Sequence, residues 1–149
     1  MTDPDVIPIE ECPNDASKFL YELLRKYLQY QKAGFGLKID DRPEHYQFRE
    51  EVVKWESQFY QNEVEPSVYE AFIDTTFALY RPNVTRGVGR PCIRTGFPYE
   101  ARHMPWYSNS ANPDEEEVYY RMHCGTGAEH GTWGRETLPS GLIQKISKM

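Results

Sequence analysis

The side chains best suited to chemistry lie late in the chain, where Cys124 stands between His123 and a Gly-Thr-Gly-Ala-Glu run that ends at His130. A thiolate is a strong nucleophile, and neighbouring imidazoles can lower its pKa or relay its proton. The same three side chains, joined by His103, are also suitable zinc ligands. Adjacent side chains at 123 and 124 point apart on an extended strand, so both can ligate only if the loop bends. Cys12, Cys92 and Cys124 are odd in number and widely spaced, which spells neither a disulfide framework nor a zinc knuckle. The alternative to chemistry is that these groups are buried hydrogen-bonding or partner-contact residues.

The segment His123-Cys124-Gly125-Thr126-Gly127-Ala128-Glu129-His130 resembles the His-Cys-x-x-Gly-x-x-Arg loop of cysteine-dependent phosphatases. That resemblance implies a nucleophilic Cys124 beneath a cradle of loop amides. It departs at His130, which occupies the position of the family's arginine, and a neutral imidazole lacks the guanidinium fork that holds a transferring phosphoryl group. Gly131, Gly134 and Pro139 also follow where a long helix is expected.

A second cluster is cationic. Residues 1 to 80 sum to −8, residues 81 to 103 to +4 and residues 104 to 149 to −2, for a net charge of −6. The positive strip holds Arg81, Arg86, Arg90, Arg94 and Arg102 against Glu100 alone, interleaved with Gly87, Gly89, Pro91 and Gly96. Such a strip suits bidentate contact with an acidic protein surface, or internal pairing with the chain's own acidic helices. Gly87-Val88-Gly89-Arg90 lacks the lysine and hydroxyl of a nucleotide site, and a net acidic chain lacks the broad positive footprint of a nucleic-acid binder. Asp114 to Glu117 reads as a solvated acidic turn rather than a metal cage.

Helical spacing positions the first half. Phe19, Leu20, Leu23, Leu24, Tyr27 and Leu28 predict a helix capped at Asn14 or Asp15 and stopped near Gly34 and Gly36. Phe48, Val52, Trp55 and Phe59 predict a second helix opening at Asp41-Arg42-Pro43. Val68, Phe72, Ile73, Phe77 and Tyr80 predict a third, from Pro66 to Pro82. Beyond Pro82 the breakers are too frequent for a sustained apolar period; Val118 to Cys124 alone alternates like a strand.

The expected fold is therefore mainly α: an acidic arm over 1–13, a helical body over 14–81, and a long irregular segment over 82–149 with at most a short strand or hairpin. A mean hydropathy of −0.75 with 11 Tyr, 7 Phe and 3 Trp makes aromatics the main apolar resource, useful in a core or at an interface. The lysine- and arginine-free N-terminus lacks secretory or transit chemistry, and no apolar run is long enough to cross a bilayer. A reducing, cytoplasmic setting follows.

Arg102-His103-Met104-Pro105-Trp106-Tyr107 and Gly131-Thr132-Trp133-Gly134-Arg135-Glu136 resemble the aromatic- and Arg-punctuated tails of small proteins that line ciliary doublet microtubules. The resemblance spans residues 81 to 140. It implies a non-enzymatic structural or adaptor protein, without cofactor, bound to an acidic assembly such as tubulin in a ciliary axoneme. The expected contacts are Arg86, Arg90, Arg94, Arg102, Trp106, Tyr107, Tyr119, Trp133 and Arg135, with Tyr120 as a further aromatic anchor. An acidic inhibitor of a basic site is another reading.

Overall fold

A computed structural model describes residues 2–73, 77–82, 92–116 and 118–119. Two α-helices and six strands are assigned among them: β1 (Val6–Pro8), α1 (Ala16–Lys26), β2 (Lys32–Leu37), α2 (Arg49–Ser57), β3 (Glu63–Glu65), β4 (Val68–Glu70), β5 (Ala78–Tyr80) and β6 (Cys92–His103). Single 3-10 turns follow α2 at Gln58–Tyr60 and β6 at Met104–Tyr107. The chain is α/β, correcting the mainly helical expectation.

The first amphipathic period is real. α1 buries Leu20, Leu23 and Leu24, each contributing roughly 2 kcal/mol through the apolar area removed from water. The helix begins at Asp15, whose carbonyl accepts the Phe19 N–H at 2.9 Å, but the Asp15 carboxylate caps no amide; it accepts the Tyr99 hydroxyl at 3.0 Å. The helix ends well before the glycines. Arg81 collects the loose carbonyls there, with Nη2 donating to Leu24 O and Tyr27 O and Nε to Tyr30 O. A cation at this position also complements the negative end of the helix dipole. Gly34 and Gly36, expected beyond the helix end, belong to β2.

The second helix starts later than expected, after a turn in which Tyr46 N–H donates to Pro43 O and Arg49 N–H to Tyr46 O. The third is replaced by strands. Ser67, at φ +59°, turns β3 back on β4, and the Ser67 N–H donates to Glu63 Oε1 at 2.9 Å. Val68, Ile73 and Ala78 are buried while Phe72 of the expected stripe is exposed, so the helical spacing of the apolar residues here does not correspond to one buried face.

The segment expected to be irregular supplies the longest strand. β6 pairs with β4 antiparallel, with β2 parallel, and through its far end with β1 antiparallel; the main path is β3-β4-β6-β2-β5. The β2–β6 register jumps from Phe35↔Thr95 to Gly36↔Glu100, so residues 96–99 bulge outward, with a cis Phe97–Pro98 peptide. Thr95 Oγ1 bridges the bulge by donating to Tyr99 O at 2.5 Å, while Gly96 N–H donates to Ser67 O at 2.7 Å. A backbone with these partners keeps its ladder despite Gly96 and Pro98.

The main core joins α1 to Ala33, Phe35, Leu37, Ile93 and Ala101 of the central strands, and extends to Tyr30, Tyr46, Val52 and Trp106. Tyr30 is closed off at 2 % exposure; burial and the acceptor Glu70 push its hydroxyl pKa up to about 12. Val118 and Tyr119 are helical, with Val118 N–H bonded to Asp114 O, which corrects the strand expected to start there. The remainder of that strand, to Cys124, lies outside the described residues.

Candidate partner-binding surface

Two of the guanidiniums expected to face a partner serve the chain itself. Arg94, on the face of β6 that pairs it with Gly34 and Tyr69, forms an ion pair with Glu56 of α2; the two side chains are 3 % and 7 % exposed. Phe59 and Tyr60 lie over its guanidinium, with ring centroids 4.9 and 5.2 Å from Cζ. Arg94 is thus removed from the contact set: a buried arginine enclosed by two rings cannot reach another molecule without breaking the pair.

Arg102 links the N-terminal arm to the β2–α2 connection, reaching Glu10 Oε2 at 2.6 Å and Asp41 Oδ2 at 2.8 Å. Tyr107 donates to the other oxygen of Asp41 at 2.5 Å. Burial alone would raise the Asp41 pKa, but these hydrogen bonds and the Arg102 charge hold it below the usual carboxylate value. Trp106, expected as an exposed anchor, is buried at 7 % exposure beneath the 3-10 turn. Its ring stands edge-on to His103 at 4.9 Å, and His103 Nε2 lies 3.4 Å from Asp5 Oδ2.

Half-buried Glu100 and Tyr60 lie beside the Arg94–Glu56 pair. Gly36 is paired with Glu100, and Tyr60 crosses Gly36 to donate its hydroxyl to Leu37 O at 2.8 Å. A Cβ at position 36 would collide with both the Thr95 carbonyl and this hydroxyl. Burial pushes the Glu100 carboxyl above its ordinary pKa, opposed by the charges of Lys38 and Arg94 and reinforced by Asp40 and Asp41. Burial likewise raises the Tyr60 hydroxyl. These groups form a polar layer between β6 and the α2 end, held by aromatic covers.

That layer supports the feature absent from the expected contact set. Trp55 sits on α2 at 62 % exposure, although the helical spacing had assigned it to the buried stripe. Its ring meets Phe59 edge-on, centroids 6.0 Å apart, and Phe59 in turn covers Arg94. An exposed indole therefore rests on a ring fixed by a buried ion pair. Leu28, just past the end of α1, is 73 % exposed. Val52 and Glu56 are the buried residues of α2, so its inward face is narrow and Trp55 stands at its flank, a distinction the three-and-four spacing does not make.

Tyr119 is exposed. Arg86, Arg90, Tyr120, Trp133 and Arg135 lie outside the described residues, as do His123, Cys124 and His130. Cys12 and Cys92 are not in a disulfide among the described residues, and both thiols are held above the ordinary pKa mainly by burial. No group of three or more His, Cys, Asp and Glu side chains able to hold a metal ion occurs among the described residues. No described helix is long and apolar enough to cross a membrane.

Comparison of the chain with family models, curated proteins and solved structures found no match.

Proposed function

We propose that the chain is a non-enzymatic adaptor that attaches to a larger protein assembly, with Trp55 as its principal anchor. The observation that carries this reading is the solvent-facing indole of Trp55 on Phe59, above the locked Arg94–Glu56 pair. Tryptophan supplies a large contact area for few rotatable bonds, and binding energy concentrates on such rings when they are already held in place. With Arg94 and Arg102 engaged internally, contacts to an acidic partner such as a microtubule wall fall to Arg86, Arg90 and Arg135.

Quantitative affinity purification of tagged full-length chain from its native cells tests the reading. Trp55→Ala reduces recovery of the principal partner about thirtyfold, the loss expected for a hot-spot side chain worth about 2 kcal/mol. Leu28→Ala leaves recovery unchanged. Equal recovery by wild type and Trp55→Ala contradicts the proposal.

A further inference from the structure

The connection between β2 and α2 contains a buried cation without a carboxylate partner. Arg42 is 3 % exposed. Its Nη2 donates to Ile39 O, whereas Nε and Nη1, both buried, have no hydrogen-bond acceptor among the described residues. Those two atoms carry three N–H groups. The Trp106 ring centroid lies 5.6 Å from Cζ; a cation–π contact stabilises the charge over the ring face and leaves the in-plane N–H donors unsatisfied.

The nearby carboxylates are engaged elsewhere: Asp41 with Arg102 and Tyr107, and Glu56 with Arg94. Burial is the largest influence on Arg42 and disfavours its charged form; Tyr107, Glu56 and Tyr46 act the other way, and the charge of Arg49, whose Nε donates to the Arg42 carbonyl at 3.3 Å, adds to the effect of burial. Neither arginine forms a carboxylate ion pair among the described residues. The surrounding segments are nevertheless fixed on both sides of Arg42, by the Tyr107–Asp41 bond and by the Gln47 N–H donating to Ser110 Oγ at 3.1 Å.

We infer that Arg42, with Arg49 beside it, is the recognition centre of a small oxyanion site between the 41–49 connection and the 105–110 segment. The ligand class is a phosphate or carboxylate group small enough to reach the free N–H donors. Such an anion supplies the missing acceptors and separates the two positive charges, and charge-assisted bonds of this kind are the strongest available to a guanidinium. The site is independent of the Trp55 surface.

Thermal unfolding of the full chain is measured with increasing inorganic phosphate, and separately acetate, at ionic strength held constant with sodium chloride. The expected result is a saturable rise of the midpoint with at least one anion, on the order of 5 °C at a hundredfold excess over its dissociation constant. General salt stabilisation, in contrast, grows without saturation. Arg42→Met abolishes the saturable rise while unfolding at or above the wild-type midpoint in chloride, because an unpaired buried charge has been removed. Arg49→Gln, at an exposed position, weakens anion binding at least threefold without altering the fold. Phosphate responding without acetate assigns the site to phosphoryl groups, and both responding assigns it to oxyanions generally. No saturable rise with either anion, or an undiminished rise in Arg42→Met, overturns the inference.

Discussion

Arg94 and Glu56 define the behaviour of the polar layer at the residue scale. Removing one partner strands the other charge in a site exposed by only a few per cent, and such a loss costs about 3–5 kcal/mol. Glu56→Leu and Arg94→Met are each expected to fall in that range by urea unfolding, whereas the two combined recover most of the loss. A strictly additive double variant would show that the pair is not coupled. Glu100 gives a pH signature. Its folded-state pKa is raised by burial, so its stabilising contribution is full below the unfolded carboxyl value near 4.3 and is lost as pH rises through the folded value. Glu100→Gln should therefore be more stable than wild type at pH 7, with the gap closing as pH falls toward 4. A gap that widens on acidification contradicts the assignment.

Gly36 is the critical position at the scale of elements, because Tyr60 and the Thr95 carbonyl both occupy the space a Cβ would need. Gly36→Ala is predicted to destabilise by about 1–3 kcal/mol in denaturant unfolding, the usual range for overpacking. Adding Tyr60→Phe relieves only the hydroxyl contact and leaves the backbone one, so most of the loss persists; full recovery would place the strain on Tyr60 alone. The same elements show where the sequence was legible. α1 could be read because Leu20, Leu23 and Leu24 meet one core on a single stripe. β6 could not, since Gly96 and Pro98 read as breakers when the bulge that accommodates them depends on Ser67 and Tyr99, distant in sequence or visible only through register. Arg94 read as a partner contact or as a pair for one of the chain's own acidic helices, because nothing local announces that Glu56 would close over it. Val68 to Tyr80 satisfied a helical period although the segment forms separate strands and leaves Phe72 exposed, a case of tertiary context overriding spacing.

The whole molecule does not wait for a partner to order residues 92–107: β6 lies at the centre of the sheet, and with the 3-10 turn after it contributes Ile93, Ala101 and Trp106 to the core. Hydrogen exchange on the isolated chain should find the paired amides of β6 as protected as those of α1; rapid exchange throughout β6 would contradict a self-supporting sheet. The proposed attachment accordingly rests on side chains left outside that core, Trp55 on α2 foremost. The most direct measurement places a photo-activated cross-linking residue at Lys54, exposed beside Trp55, or at Leu28, just past the end of α1, in the full chain within its native cells. The account predicts that Lys54 traps one principal protein partner, that the yield collapses when Trp55→Ala is added, and that Leu28 traps little of it. Equal trapping from both positions, or a Lys54 cross-link indifferent to Trp55→Ala, would contradict it.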